Sequence, residues 1–273
     1  MRGELLKVPQ KDRVKFGTHF LNSVHCQLTI PPLAADNIVN NGKVIKECLD
    51  FLNLDDPTQM REGSWRFEAP STPDKAPQLH SETQEVTGLR FLSKSPRLDV
   101  AISKTSILYS EYEYSGFDNF SDNLLKMVRC VAPILNIEKA SCIGLRKINS
   151  ILVGPVTSLD DALSAFNSEL FGTAKSGIAD TQAIKAFEGS LAMSKNGYAC
   201  LLRHSLRNLE KEDRFEVKLD FDLVDQNERE LDSDFSHVLE NLNNTSFDLF
   251  SWSVSDVLTR IMDPIAASGK EEN

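Results

Sequence analysis

Apolar residues along the chain follow two rhythms, one of period two and one near 3.6, and the points where one replaces the other outline the elements. Residues 21–30, Leu-Asn-Ser-Val-His-Cys-Gln-Leu-Thr-Ile, read as an opening strand. Pro31 and Pro32 end it, because proline has no N–H to give to a ladder. From Asp36, a good N-cap residue, Ile38, Val39, Val44, Ile45, Cys48, Leu49 and Leu52 recur at helical spacing and predict one amphipathic helix. Trp65 and Phe67 alternate with polar neighbours as in a short strand, and the proline-containing stretch 71–78 reads as a surface loop. Strands follow at 82–92, 98–104 and 106–114, with connections short enough to favour an antiparallel meander over parallel crossovers. A helix over 117–131 carries Phe117, Phe120, Leu124, Met127, Val128 and Val131 on one side, with Pro133 expected to close it. Residues 142–153 read as another strand.

In the second half, Ser158 and Asp161 have the spacing of a capping box opening a helix whose stripe is Leu159, Leu163, Phe166 and Leu170. A Gly, Ser, Thr and Ala-rich connection spans 171–183. A hairpin over 187–206 turns at Lys195-Asn196-Gly197, since Asn-Gly accepts the positive φ values of a tight hairpin turn. A strand at 214–225 precedes two helices, Ser233–Leu242 and Thr245–Met262, separated at Asn243-Asn244, and the chain beyond Pro264 reads as a frayed tail. Strands that cluster rather than alternate with helices predict an α+β fold. The expected architecture is two lobes of antiparallel sheet, each packed with helices, at 1–155 and 156–264, followed by a flexible tail at 265–273. The halves are loosely alike, each a set of antiparallel strands followed by a helix. That is compatible with a distant internal duplication, although no repeat is visible residue by residue.

Composition narrows the classes. With 273 residues, 41% hydrophobic and 26% charged, the chain is globular, not a disordered or disulfide-framework sequence. The net charge of −10 argues against a general grip on nucleic acid or on an anionic membrane surface; it favours solubility and pairing with a basic protein partner. The charged stretch from Met1 to Asp12 lacks the apolar run of a signal sequence, and no apolar run reaches the roughly 18 residues of a membrane span, so a cytoplasmic location is expected. Cys26, Cys48, Cys130, Cys142 and Cys200 form no close pairs and read as reduced core thiols.

Neither the glycine-rich nucleotide signatures, the nucleophile elbow of serine hydrolases nor the paired histidines of zinc proteases occur in the chain, and no cofactor is implied. The most suggestive polar set is Asp220 and Asp222, which share a strand face with Glu216 and Lys218 while Val217, Leu219, Phe221 and Leu223 face inward. Two carboxylates about 7 Å apart on one face suit a hard cation such as Mg²⁺ if a third ligand exists; otherwise they belong to a solvated face. Glu111 and Glu113, beside Tyr109, Tyr112 and Tyr114, suit acid–base chemistry or recognition, or else an exposed edge strand with aromatic packing. Arg146 alternates away from Leu145 and is expected to cross to Asp220 or Asp222, holding two sheets in register. Arg146 and Asn149 together suit recognition of an anion or of a partner's carboxylate. His19, His25, His80, His204 and His237 show no local pairing.

Three stretches carry a resemblance: Cys142-Ile143-Gly144-Leu145-Arg146-Lys147-Ile148-Asn149, the strand 215–222, and the closing helix 246–258. The first resembles the Arg-x-Gly-Leu-Arg-Tyr-x-Asn pattern of a family sporadically distributed across bacteria and archaea. Ser141 or Cys142 stands in place of the leading Arg, and Lys147 in place of the Tyr. The resemblance implies a two-lobed α+β protein, supplies no catalytic residues, and points by analogy to accessory or defence-linked loci. The expectation is therefore a non-enzymatic binding or regulatory protein that acts through its acidic surface on another protein, with homo-oligomerisation an open option. The alternative is a metal-dependent phosphoester hydrolase using Asp220 and Asp222.

Overall fold

The segments of period two pair into one antiparallel sheet of nine strands in the computed structural model, which describes residues 5–17, 19–62, 65–68, 78–81, 85–155, 158–209 and 213–265. The strands are β1 (Leu21–Thr29), β2 (Thr58–Glu62), β3 (Glu85–Lys94), β4 (Arg97–Ser103), β5 (Ser106–Glu111), β6 (Cys142–Val153), β7 (Ala186–Lys195), β8 (Tyr198–Leu209) and β9 (Arg214–Asp225). Their order across the sheet is β7-β8-β9-β6-β1-β5-β4-β3-β2. The helices are α1 (Ala35–Asn40), α2 (Gly42–Cys48), α3 (Phe117–Leu135), α4 (Leu159–Leu163), α5 (Phe235–Ser253) and α6 (Asp256–Ile261). The α+β class read from the sequence is therefore present.

Alternation decides the faces. Val24, Cys26 and Leu28 of β1, Ile143, Leu145 and Ile151 of β6, and Val217, Leu219, Phe221 and Leu223 of β9 are fully buried, all at 0% exposure. They meet Phe120, Leu124, Met127, Val128 and Val131 of α3 and Val238, Leu239, Leu242 and Leu249 of α5, at roughly 1.5–3 kcal/mol per large side chain removed from water. The alternate residues, among them Arg146, Ile148, Ser150, Glu216 and Asp222, lie half-buried on the opposite face.

Each half runs from an opening strand through short helices and a meander to a long helix: β1, α1, α2, β2, β3, β4, β5, α3, then β6, α4, β7, β8, β9, α5. In each, the last meander strand lies beside the opening strand, and the two opening strands pair with each other at the sheet centre, where Arg146 faces His25. Strands from either side of residue 155 are thus hydrogen-bonded into one sheet; β6 and β9 pair from Ile143 opposite Asp225 to Val153 opposite Phe215.

Several boundaries differ from the sequence reading, each for a local reason. The helix expected over 36–52 divides at Asn41, whose side-chain amide folds back on Asn37, and a 3₁₀ turn at Asp50–Leu52 follows α2. Gly42 opens α2 where a Cβ would come within 2.8 Å of Leu89 Cδ1. Pro133 lies inside α3 rather than beyond it: it removes one backbone hydrogen bond from the last turn, and the helix stops two residues later at Leu135. Its C-cap is Asn136, in the left-handed region. Ser158 caps α4 as expected, with the Asp161 N–H donating to its Oγ, but the helix stops at Leu163. The Asn196-Gly197 turn is as expected, with φ of 52° and 75°.

No break occurs at Asn243-Asn244, because Asn243 is buried and bonded to Lys147 instead of competing for its own backbone. The interruption falls at Val254-Ser255, where the backbone is captured from the side: Asn167 N–H donates to Ser253 O and Ser255 N–H to Ala165 O. Contrary to expectation, the five cysteines are not all reduced thiols. Cys48 of α2 and Cys130 of α3 form a disulfide with Cα atoms 6.1 Å apart, a pairing made by helix packing across 82 residues, while Cys26, Cys142 and Cys200 are free. Most of the expected loop at 71–78 and tail at 265–273 lies outside the described residues.

Candidate functional site: an open-face ion cluster and an aromatic cavity

Register assembles a charged cluster on the face of the sheet away from the helices. Asp220 stands opposite Ile148 on β6 and Arg203 on β8, while Arg146 stands opposite Asp222, so Arg146 reaches Asp220 on the diagonal. Its Nε donates to Asp220 Oδ1 at 2.8 Å and its Nη2 to Oδ2 at 2.7 Å; Arg203 Nη1 donates to the same Oδ2 at 2.8 Å. The contact expected for Arg146 therefore exists, but it ties neighbouring strands of one sheet rather than two sheets. Asp222 lies 3.9 Å from Arg203, and burial raises its pKa against the pull of Arg146 and Arg203. Both Asp220 oxygens are occupied by guanidinium groups, and among the described residues no three His, Cys, Asp or Glu side chains converge on a position for a metal.

His25, opposite Arg146, is hydrogen-bonded through Nδ1 to Ser110 Oγ at 2.8 Å and through Nε2 to Ser23 Oγ at 2.9 Å. Burial, then the nearby Arg146 charge, holds its pKa below the ordinary histidine value. Farther along the same face, Arg90 forks onto Asp99, and Arg97 lies 4.6 Å from the centre of the Tyr112 ring.

The Glu111, Tyr112 and Glu113 group does not stay together. β5 is an interior strand between β1 and β4, not an edge, and it stops at Glu111. Glu111 is buried on the helix side, where Tyr109 Oη donates to it at 2.6 Å and burial raises its pKa against the hydrogen bonds from Tyr109 and Asn123. Tyr112 belongs to the open face, and Glu113 is exposed beyond the strand.

Arg146 and Asn149 also separate, since an odd spacing on a strand puts them on opposite faces. Asn149 points to the helix side with Lys147, and there the layers leave a cavity of about 550 Å³. Its walls are β6, the start of α3, α5 and the amino-terminal arm, with Phe16, Phe20, Phe247, Phe250 and Met262 supplying apolar surface. Phe16 stacks on Phe247 at 6.3 Å, and Arg13 lies 5.1 Å from the centre of the Phe117 ring. Lys147 is only 8% exposed: its Nζ donates to Asn243 Oδ1 and lies 5.9 and 5.8 Å from the ring centres of Tyr114 and Phe117. Burial first, and the charge of Arg13 second, brings its pKa down from 10.5 to about 7. Asn149 Nδ2 donates to Leu219 O at 3.3 Å.

The family pattern marks Lys147 only as a departure, yet a stronger signal for it lies in the strand itself. Ile143, Leu145, Lys147, Asn149 and Ile151 form one inward row, with two polar residues at its centre. Compared with protein-family models and with curated proteins, the chain matches none.

Proposed function

We propose that this is a non-catalytic binding protein whose ligand is a small molecule housed in the cavity between β6, α3 and α5. The observation that carries this reading is a space of about 550 Å³, within the range of small-molecule sites, lined by aromatic side chains with a few buried polar groups, Lys147, Asn149 and Asn243. Two of these, Lys147 and Asn149, stand in a strand's inward row, which disfavours a purely structural core, where apolar packing is more stable. The test is titration with the neutral fluorophore N-phenyl-1-naphthylamine. Saturable binding is expected, lost when Ser246→Phe fills the cavity. Absence of binding, or binding unaffected in a folded Ser246→Phe protein, overturns the reading.

A second reading, a protein partner held on the open face of the sheet, is favoured by the half-exposed Arg146, Arg203 and Tyr112 there, residue types enriched at interfaces. Co-purification from the native host that is lost in Arg203→Glu supports it; partner recovery indifferent to that change removes it. The hydrolase alternative draws no support from Asp220, whose oxygens are occupied by guanidinium groups. The similar order of elements in the two halves, the second with one short helix and one strand fewer, supports a distant internal duplication, with the junction between Leu135 and Cys142 rather than near residue 155.

A further inference from the structure

We infer that the cavity takes a ligand with an anionic oxyacid group on an apolar body, the anion seated against Lys147; this deepens, and rests on, the cavity reading above. The basis is an imbalance of charge. An ammonium group has three N–H donors, and the acceptor that Lys147 has among the described residues is the neutral amide oxygen of Asn243, supplemented by the faces of Tyr114 and Phe117. A cation this deep is costly without a counter-charge. The titratable groups around it are Arg13 and His19 from the arm and Tyr114 and Asp118 at the start of α3; from α5 come the neutral Asn243 and Ser246. Of these Asp118 alone is a carboxylate, and it is exposed on the first turn of α3, while the buried Glu111, two strands from Lys147 on the same face of the sheet, accepts the Tyr109 hydroxyl hydrogen bond. The arm adds a second cation, Arg13, rather than an anion.

A ligand oxyanion beside Lys147 supplies the missing charge, while the rings of Phe16, Phe247 and Phe250 enclose the remainder. One deeply buried cation in apolar walls suits a carboxylate or sulfonate of an aromatic or aliphatic body better than a polyphosphate, which needs several donors. Because the empty site disfavours the charged amine, seating the anion draws a proton onto Lys147, and affinity falls as pH rises past the amine's pKa.

The test compares 1-anilinonaphthalene-8-sulfonate with its neutral counterpart N-phenyl-1-naphthylamine, by fluorescence titration from pH 6 to pH 9. The full chain is compared with Lys147→Met, Arg13→Gln and His19→Gln. The sulfonate probe is expected to lose at least about 10-fold in affinity over that range while the neutral probe changes less than about 2-fold. Lys147→Met abolishes the pH dependence and weakens the sulfonate alone; His19→Gln keeps the pH dependence, and Arg13→Gln weakens the sulfonate modestly. If Lys147→Met fails to fold, the pH profiles of the wild type and the two arm variants decide. Binding of neither probe overturns the cavity reading itself. Binding of both, with no selective effect of pH or of Lys147→Met on the sulfonate, overturns the anion inference and leaves the cavity standing.

Discussion

Replacing Lys147 by Met gives a test that needs no ligand. The amine has a pKa of about 7 in the folded chain against 10.5 when free in water. An unfolded chain therefore binds more protons than the native one between those values, and stability must rise with pH across that window. Below pH 7 both states are protonated and the penalty is fully present; above it the native amine is neutral and the penalty recedes. Each pH unit between the two values corresponds to about 1.4 kcal/mol, so the full effect is of the order of 4–5 kcal/mol, and about 2 kcal/mol of it develops between pH 7 and pH 9. Methionine keeps most of the volume and carries no charge, at the cost of one hydrogen bond to Asn243, worth about 1 kcal/mol. Urea denaturation at several pH values measures the difference directly. The wild type is expected to gain about 2 kcal/mol relative to Lys147→Met on going from pH 7 to pH 9. Parallel pH profiles for the two proteins would refute the claim that this amine is desolvated.

Other consequences follow from the fold. Asp220→Asn removes the counter-charge of Arg146 and Arg203; because both guanidiniums are about 40% exposed, the loss is expected near 1–2 kcal/mol by urea midpoint and should shrink in high salt. Gly88→Ala places a Cβ 2.0 Å from Ile102 O across the β3–β4 ladder, so about 3 kcal/mol or more of stability is lost, read as a lowered Tm; a neutral result would show that the ladder can part there. Phe221→Ala, at a fully buried position of β9, is expected to cost about 3–5 kcal/mol in the same assay. Since the pKa of His25 is lowered on folding from 6.5, the unfolded state takes its proton first. Stability should therefore fall as pH drops below that value, and His25→Asn should flatten this limb of the profile.

The strands were legible because period two is written into the chain: 142–153 and 214–225 are found with the expected limits, and the Asn-Gly turn lies where expected. The helices were less so. Their ends depend on partners distant in sequence, as when residues 165–167 bind 253–255 and end α5, or when Lys147 engages Asn243 and lets the helix run through it. The candidate residues suffered for the same reason. Spacing alone could show that Arg146 and Asn149 lie on opposite faces, but not that β5 is interior or that two arginines converge on Asp220.

Alternation and turn chemistry thus determined the strands, their inward rows and the Asn-Gly turn, because each is a property of a few consecutive residues, and the clustering of those strands gave the α+β class. The order of nine strands, the Cys48–Cys130 pairing and the cavity around Lys147 were decided only by tertiary packing. The physical reason is that burial and a missing counter-charge are properties of what surrounds a side chain, and those surroundings come from the amino-terminal arm, β6, α3 and α5, which are far apart along the chain.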